Sequence, residues 1–172
     1  MTWLDHADRI KAVILDVDGV MTDGRLYYGP DVTMKAFDAK DGHAIKMAIQ
    51  GGLLVGVISG RADPVNLRRI KELGMSFAMF GQKDKAQAVE RLLVEQKLEA
   101  NQCIFIGDDV IDIPAFRRVA VGIAVADAVE EAKAQADWIT DAPGGRGAVR
   151  EVLVHLLRRQ GKWDDLMKPY LH

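Results

Sequence analysis

The chain has 172 residues, 49% apolar and 28% charged, the balance of a folded globular protein with one sizeable core. A formal net charge of -2 offers no basic footprint for nucleic acid, and no apolar run approaches the roughly 18 residues that a membrane-spanning helix requires. Cys103 is the only cysteine, which excludes an intramolecular disulfide and fits a reducing cytoplasm. Residues 1–6 have neither the basic end nor the apolar core of a signal peptide.

The first strand candidate is Val13-Ile14-Leu15, a short apolar run that ends abruptly in Asp16-Val17-Asp18-Gly19. Two β-prone runs, 25–28 and 32–37, flank a Gly-Pro-Asp turn and predict a hairpin. Helical spacing at 43–49, an apolar strand at 53–58 and a helix at 63–73 follow. A short strand at 77–80 leads to a helix at 84–98, with Ala86, Val89, Leu92 and Leu93 at amphipathic spacing. Strands at 103–106, 121–125 and 138–140 and a last helix bearing Val149, Val152, Leu153, Leu156 and Leu157 complete the pattern. This alternation predicts an α/β fold: one domain over residues 1–172, a mostly parallel sheet covered by helices on both sides. The hairpin, inserted directly after the first strand, is expected to lie over that strand's end.

The carboxyl ends of such strands are where open α/β sheets place their ligands, and four of them here carry polar side chains. Asp16 and Asp18 follow the first strand, Ser59-Gly60-Arg61 the second, Lys85 opens the helix after the short strand, and Gly107-Asp108-Asp109 ends the fourth, with Asp112 three residues on. Singly, each has an ordinary reading: an acidic turn, a Ser-Gly turn, a solvated lysine, a helix cap. Together they fit one chemistry. Several carboxylates make a hard-oxygen site suited to Mg²⁺, and the absence of a His/Cys cluster argues against zinc. A carboxylate can attack a phosphoryl group, provided that metal and cation offset the phosphate's charge. Asp18 is spaced to protonate the leaving alcohol and then activate water.

Asp16-Val17-Asp18-Gly19-Val20-Met21-Thr22, the Ser59 strand end, Lys85 and Gly107-Asp108-Asp109-Val110-Ile111-Asp112 resemble the haloacid dehalogenase superfamily of phosphatases. Ala36-Phe37, Lys40-Asp41-Gly42, Ser59-Gly60-Arg61 and Gly144-Gly145-Arg146-Gly147 bring the chain closest to its capless branch of 3-deoxy-D-manno-octulosonate 8-phosphate phosphatases, the likeness running over residues 11–162. The resemblance implies a Rossmann-like three-layer core without a cap domain and Mg²⁺-dependent hydrolysis of a small anionic sugar-acid phosphate, in lipopolysaccharide sugar biosynthesis. It makes Asp16 nucleophile and metal ligand, and Asp18 acid/base with its main-chain carbonyl on the metal. Asp108 becomes the third ligand, and Ser59 and Lys85 hold the phosphate. Sugar contacts map to Asp38, Lys40, Asp41, Gly42, Lys46, Arg61 and Arg69. The hairpin flap, about 23–37, is expected to build a homotetramer whose neighbours close each site. No nucleic acid or membrane partner is implied.

Three alternatives stand beside this reading. A phosphatase for nine-carbon keto-sugar acid 9-phosphates is the nearest; Arg61 and Glu72 favour the eight-carbon substrate. Lys46 stands where the family commonly has Arg, keeping the charge but losing a planar bidentate grip. A signalling receiver domain shares clustered Asp, Ser/Thr and Lys but lacks the Asp-x-Asp spacing. A non-catalytic assembly module would be expected to lose one of Asp16, Asp18 and Asp108. Elsewhere, Cys103 reads as a core residue, Gly144–Gly147 as a capping turn, and His6, His155 and His172 as exposed. Trp3 and Trp163 are candidates to pack together or at a subunit interface.

Overall fold

The computed structural model describes residues 3–171. β1 (Ala12–Leu15) is apolar throughout, and all four of its side chains are buried. β2 (Tyr27–Tyr28) and β3 (Thr33–Met34) form the antiparallel hairpin, and a bridge between Thr22 and Phe37 closes its base. β4 (Leu54–Ile58), β5 (Phe77–Met79), β6 (Cys103–Gly107), β7 (Val121–Ala124) and β8 (Trp138–Ile139) join β1 in one parallel sheet, in the order β5-β4-β1-β6-β7-β8. The chain adds β4 and β5 on one side of β1, then crosses over to add β6, β7 and β8 on the other. That is the topological switch point, where a crevice opens beyond the strand ends.

Seven α-helices are found among the described residues: α1 (Ala39–Gln50), α2 (Pro64–Leu73), α3 (Lys85–Gln96), α4 (Ile113–Phe116), α5 (Glu130–Lys133), α6 (Ala148–Arg159) and α7 (Trp163–Met167). α1 packs on α6 and α3 on α4, and one connected apolar core runs through the sheet. α1 begins four residues before the predicted start because Asp38 caps it, accepting from the backbone N–H of Lys40 (2.6 Å) and Asp41 (3.1 Å). The single-turn helices α4, α5 and α7 and the 3-10 segment Trp3–Arg9 were not expected. They are too short for an amphipathic period to develop.

Two side-chain expectations need correction. Trp3 stacks on Trp138, with ring centroids 5.1 Å apart, and not on Trp163, which lies beneath the guanidinium groups of Arg150 and Arg158. His155 is half-buried against both Trp3 and Trp138, and His6 is also half-buried; His172 lies outside the described residues. Cys103 is fully buried, and that burial pushes its thiol up to about 12, so it is an unreactive core residue.

Candidate active site

The turn after β1 is built to hold carboxylates close together. The Val17 carbonyl accepts from the N–H groups of Val20, Met21 and Thr22, and the buried Thr22 hydroxyl accepts from Gly19 (3.3 Å) and Gly24 (3.1 Å). Gly19 has φ +91°, and a Cβ there would stand 2.0 Å from Asp108 Oδ2, so only glycine lets the β1 and β6 loops meet. Gly144 supports this turn from behind: a Cβ on it would lie 1.7 Å from the Gly19 carbonyl oxygen. Gly144 N–H donates to Asp127 and Gly145 N–H to the Val20 carbonyl. The Gly-Gly-Arg-Gly run is therefore a brace for the acidic turn.

Within this frame Asp16, Asp108 and Asp112 bring carboxylate oxygens within 4.8 Å of one another. Lys85, the first residue of α3, reaches them with its side chain fully buried. Its ammonium lies 3.0 Å from Asp16 Oδ1 and donates a short hydrogen bond to Asp112 Oδ1. Asp112 Oδ2 accepts from the N–H groups of Asp108 (3.0 Å) and Asp109 (3.2 Å). Both Asp112 oxygens are thus engaged in bracing Lys85 and the β6 loop. Asp108 Oδ1 is buried with no hydrogen-bond partner.

One ammonium among three carboxylates leaves surplus negative charge. Burial first, and then Asp16 and Asp112, push Asp108 up to about 8. Burial followed by Asp112 also raises Asp16, against the opposing pull of Lys85. For Lys85 the attraction of Asp16 and Asp112 outweighs burial, so its pKa is raised and it stays an ammonium. A buried, unpartnered carboxylate oxygen within an over-negative hard-oxygen cluster fits a divalent cation such as Mg²⁺. Asp16 and Asp108 have the oxygens to hold it. Ser59, buried at the carboxyl end of β4, offers a hydroxyl at the same sheet edge.

Asp18 stands apart from this cluster. Its Oδ1 is ion-paired with Lys35 at 2.6 Å, and its Oδ2 lies 3.8 Å from Arg61 Nε. The expected sugar contacts divide into groups. Arg61 sits beside Asp18 and Asp63, with its Nε 2.9 Å from Asp63 Oδ2. Asp38, Gly42 and Arg69 form a second group: Arg69 Nη2 donates to the Asp38 carbonyl (3.2 Å), its guanidinium lies over Phe37, and a Cβ on Gly42 would strike it. Lys40 and Lys46 are exposed on α1.

Asp41 faces elsewhere. It is buried, and its carboxylate accepts from the N–H of Gly147 (3.1 Å) and of Arg150 (2.8 Å), capping α6, which has no side-chain cap of its own. Asp41→Ala is expected to cost about 2 kcal/mol of stability, with KM changed by less than about twofold. Thermal melting and steady-state kinetics check the two halves of that statement. Lys35, Asp63 and Asn66 were not anticipated as site residues, because a lysine in Thr33-Met34-Lys35-Ala36 reads like any solvated lysine on a hairpin.

The candidate site thus joins Asp16 at the switch point and Asp18 two residues on with Ser59 after β4, Lys85 at the start of α3 and Asp108 after β6. The profile of the family described as haloacid dehalogenase-like hydrolase matches residues 77–153. The 3-deoxy-D-manno-octulosonate 8-phosphate phosphatase of Haemophilus influenzae is 40% identical over 156 residues, covering 90% of this chain and 87% of that protein. That of Escherichia coli K12 is 39% identical over 160 residues, 92% and 85% of the two chains. The crystal structure of the Moraxella catarrhalis enzyme, in complex with magnesium, phosphate and KDO, superposes with a TM-score of 0.94 at 36% identity, covering 98% of this chain and 97% of that one. The chain belongs to the 3-deoxy-D-manno-octulosonate 8-phosphate phosphatase family.

Proposed function

We propose that this protein is a Mg²⁺-dependent phosphatase that hydrolyses 3-deoxy-D-manno-octulosonate 8-phosphate to the free sugar acid and phosphate. The observation that carries the reading is the Asp16–Lys85–Asp112 cluster beside the unpartnered Asp108, in a chain so close to enzymes of that name.

Asp16 is the nucleophile: a carboxylate oxygen bonds to phosphorus as the sugar's ester oxygen departs, giving an aspartyl-phosphate. Asp18 gives its proton to that departing oxygen, then takes one from a water that attacks phosphorus and frees Asp16. Lys85 and Ser59 bind the phosphoryl oxygens and keep them in line with Asp16. Asp16, Asp108 and the Asp18 main-chain carbonyl would hold Mg²⁺, which would supply charge neutralisation for the transferring phosphoryl group. Asp112 holds the Lys85 ammonium, so its role is positioning.

The same reading makes the protein a cytoplasmic homotetramer with the flap at its interfaces. Supporting it, Tyr27, Tyr28, Val32 and Met34 leave 49–70% of their surface exposed on the hairpin, which borders a groove of about 820 Å³. No helix among the described residues is long and apolar enough to cross a membrane.

Phosphate release from eight- and nine-carbon keto-sugar acid phosphates, with Mg²⁺ and with chelator, tests the assignment. The eight-carbon ester is expected to be favoured at least about tenfold in kcat/KM, and chelator to stop turnover. A preference for the nine-carbon ester overturns the substrate. Phosphorylation that stops at one equivalent per chain overturns the enzyme.

A further inference from the structure

A lysine on a solvent-facing hairpin has every reason to reach into water, since burying an ammonium is costly unless partners replace its hydration. Lys35 does the opposite: its side chain is 0% exposed, although its neighbours Met34 and Ala36 are exposed. Just beyond β3, it turns inward and meets three oxygens, Asp18 Oδ1 at 2.6 Å, Asp63 Oδ2 at 2.7 Å and Asn66 Oδ1 at 3.0 Å. An ammonium has three donors, so three oxygen partners match its full capacity. Asp63 is the cap position of α2 and Asn66 lies in its first turn, fully buried, so Lys35 ties the hairpin to the start of that helix. From the other hairpin strand, the Tyr28 hydroxyl accepts from Arg61 (3.4 Å), which also pairs with Asp63.

Asn66 Oδ1 accepts a hydrogen bond from the ammonium, whereas Asp18 Oδ1 and Asp63 Oδ2 are its ion-pair partners. Asp63 and Asn66, both at the start of α2, anchor the ammonium, and the ammonium in turn fixes where the Asp18 carboxyl stands.

On the phosphatase reading above, we propose that Lys35 is a positioning residue: anchored by Asp63 and Asn66, it links the hairpin to Asp18 and sets that carboxyl against the departing ester oxygen.

The consequence depends on the leaving group. An alkoxide from a sugar needs the proton of a well-placed acid, whereas p-nitrophenolate leaves with little help. The experiment measures alcohol release in the first turnover, with enzyme in saturating excess and Mg²⁺ present, for the eight-carbon sugar-acid phosphate and for p-nitrophenyl phosphate. Wild type, Lys35→Met and Lys35→Arg are compared, and the first turnover separates this step from substrate binding and from later hydrolysis of the phosphoenzyme. Lys35→Met is expected to slow release of the sugar at least about 30-fold and release of p-nitrophenol at most about threefold. Lys35→Arg, which keeps the charge, is expected to recover part of the sugar rate. Equal losses on both esters, or unchanged first-turnover rates with a raised KM alone, overturn the assignment and leave Lys35 a fastener of the hairpin. If Lys35→Met does not fold, as judged by circular dichroism, Lys35→Arg against wild type carries the same two-ester comparison. A wild type that releases alcohol from neither ester overturns the phosphatase reading itself, and the role of Lys35 with it.

Discussion

Asp16→Asn is expected to lower kcat by at least about 10³-fold, with the fold intact. An amide has the carboxylate's shape but neither its charge nor its nucleophilicity, so no phosphoryl transfer to this position can follow. The same substitution removes one of three carboxylates that share the single Lys85 ammonium. In the metal-free protein, relief of that crowding offsets the lost ion pair. The melting temperature of metal-free Asp16→Asn is therefore expected within a few degrees of wild type, or above it. Mg²⁺ raises the stability of whichever state binds it, by an amount that grows with the logarithm of its affinity, so the rise in melting temperature on adding Mg²⁺ should shrink when a ligand is lost. Activity and the Mg²⁺-induced shift thus read two separate roles of one side chain. Near-wild-type turnover would sink the nucleophile assignment, and an undiminished Mg²⁺ shift would sink the ligand assignment.

The parts of the site legible in the sequence are those where an apolar run stops at a polar residue. Val13-Ile14-Leu15 before Asp16, Val57-Ile58 before Ser59 and Ile104-Phe105-Ile106 before Gly107-Asp108 mark strand ends, and parallel pairing then puts them on one edge. Lys85 was readable because α3 begins there. What the sequence hid were side chains whose environment depends on a distant element. Lys35 and Asp41 carry no local mark of burial: the first is covered by α2 and the second by α6, 106 residues away in the chain. Asp38 and Asp41 share a motif with expected sugar contacts, yet one caps α1 and the other caps α6. Asp112 looked like one more acid in a Gly-Asp-Asp-x-x-Asp run. Only its two occupied oxygens distinguish a brace for Lys85 from a metal ligand.

Lys85→Met is expected to destabilise the metal-free protein by about 3–5 kcal/mol at neutral pH, the range for removing one partner of a buried ion pair. Methionine fills a similar volume, so the loss arises from charge rather than from a cavity. Asp16, Asp108 and Asp112 would then share a buried space with no cation. Their remedy is to bind protons, and this gives the effect its pH dependence. In wild type, burial and mutual repulsion already raise Asp16 from the usual carboxylate range and take Asp108 to about 8. A carboxyl whose pKa is higher in the folded state binds more protons there than in the unfolded chain between the two pKa values, so stability falls as pH rises through that interval. Metal-free wild type should accordingly melt higher at pH 5 than at pH 8. Without the Lys85 ammonium the carboxyl pKa values rise further, so the gap between variant and wild type should narrow as pH falls towards 5. Added Mg²⁺ should restore stability most at pH 8, where it meets fewer protons in competition. Chemical denaturation at pH 5, 6.5 and 8, with Mg²⁺ or chelator, measures each slope. A Lys85→Met penalty that is independent of pH and unmoved by Mg²⁺ would mean that the lysine acts through packing. The three carboxylates would then not be the over-charged cluster from which the metal site is argued.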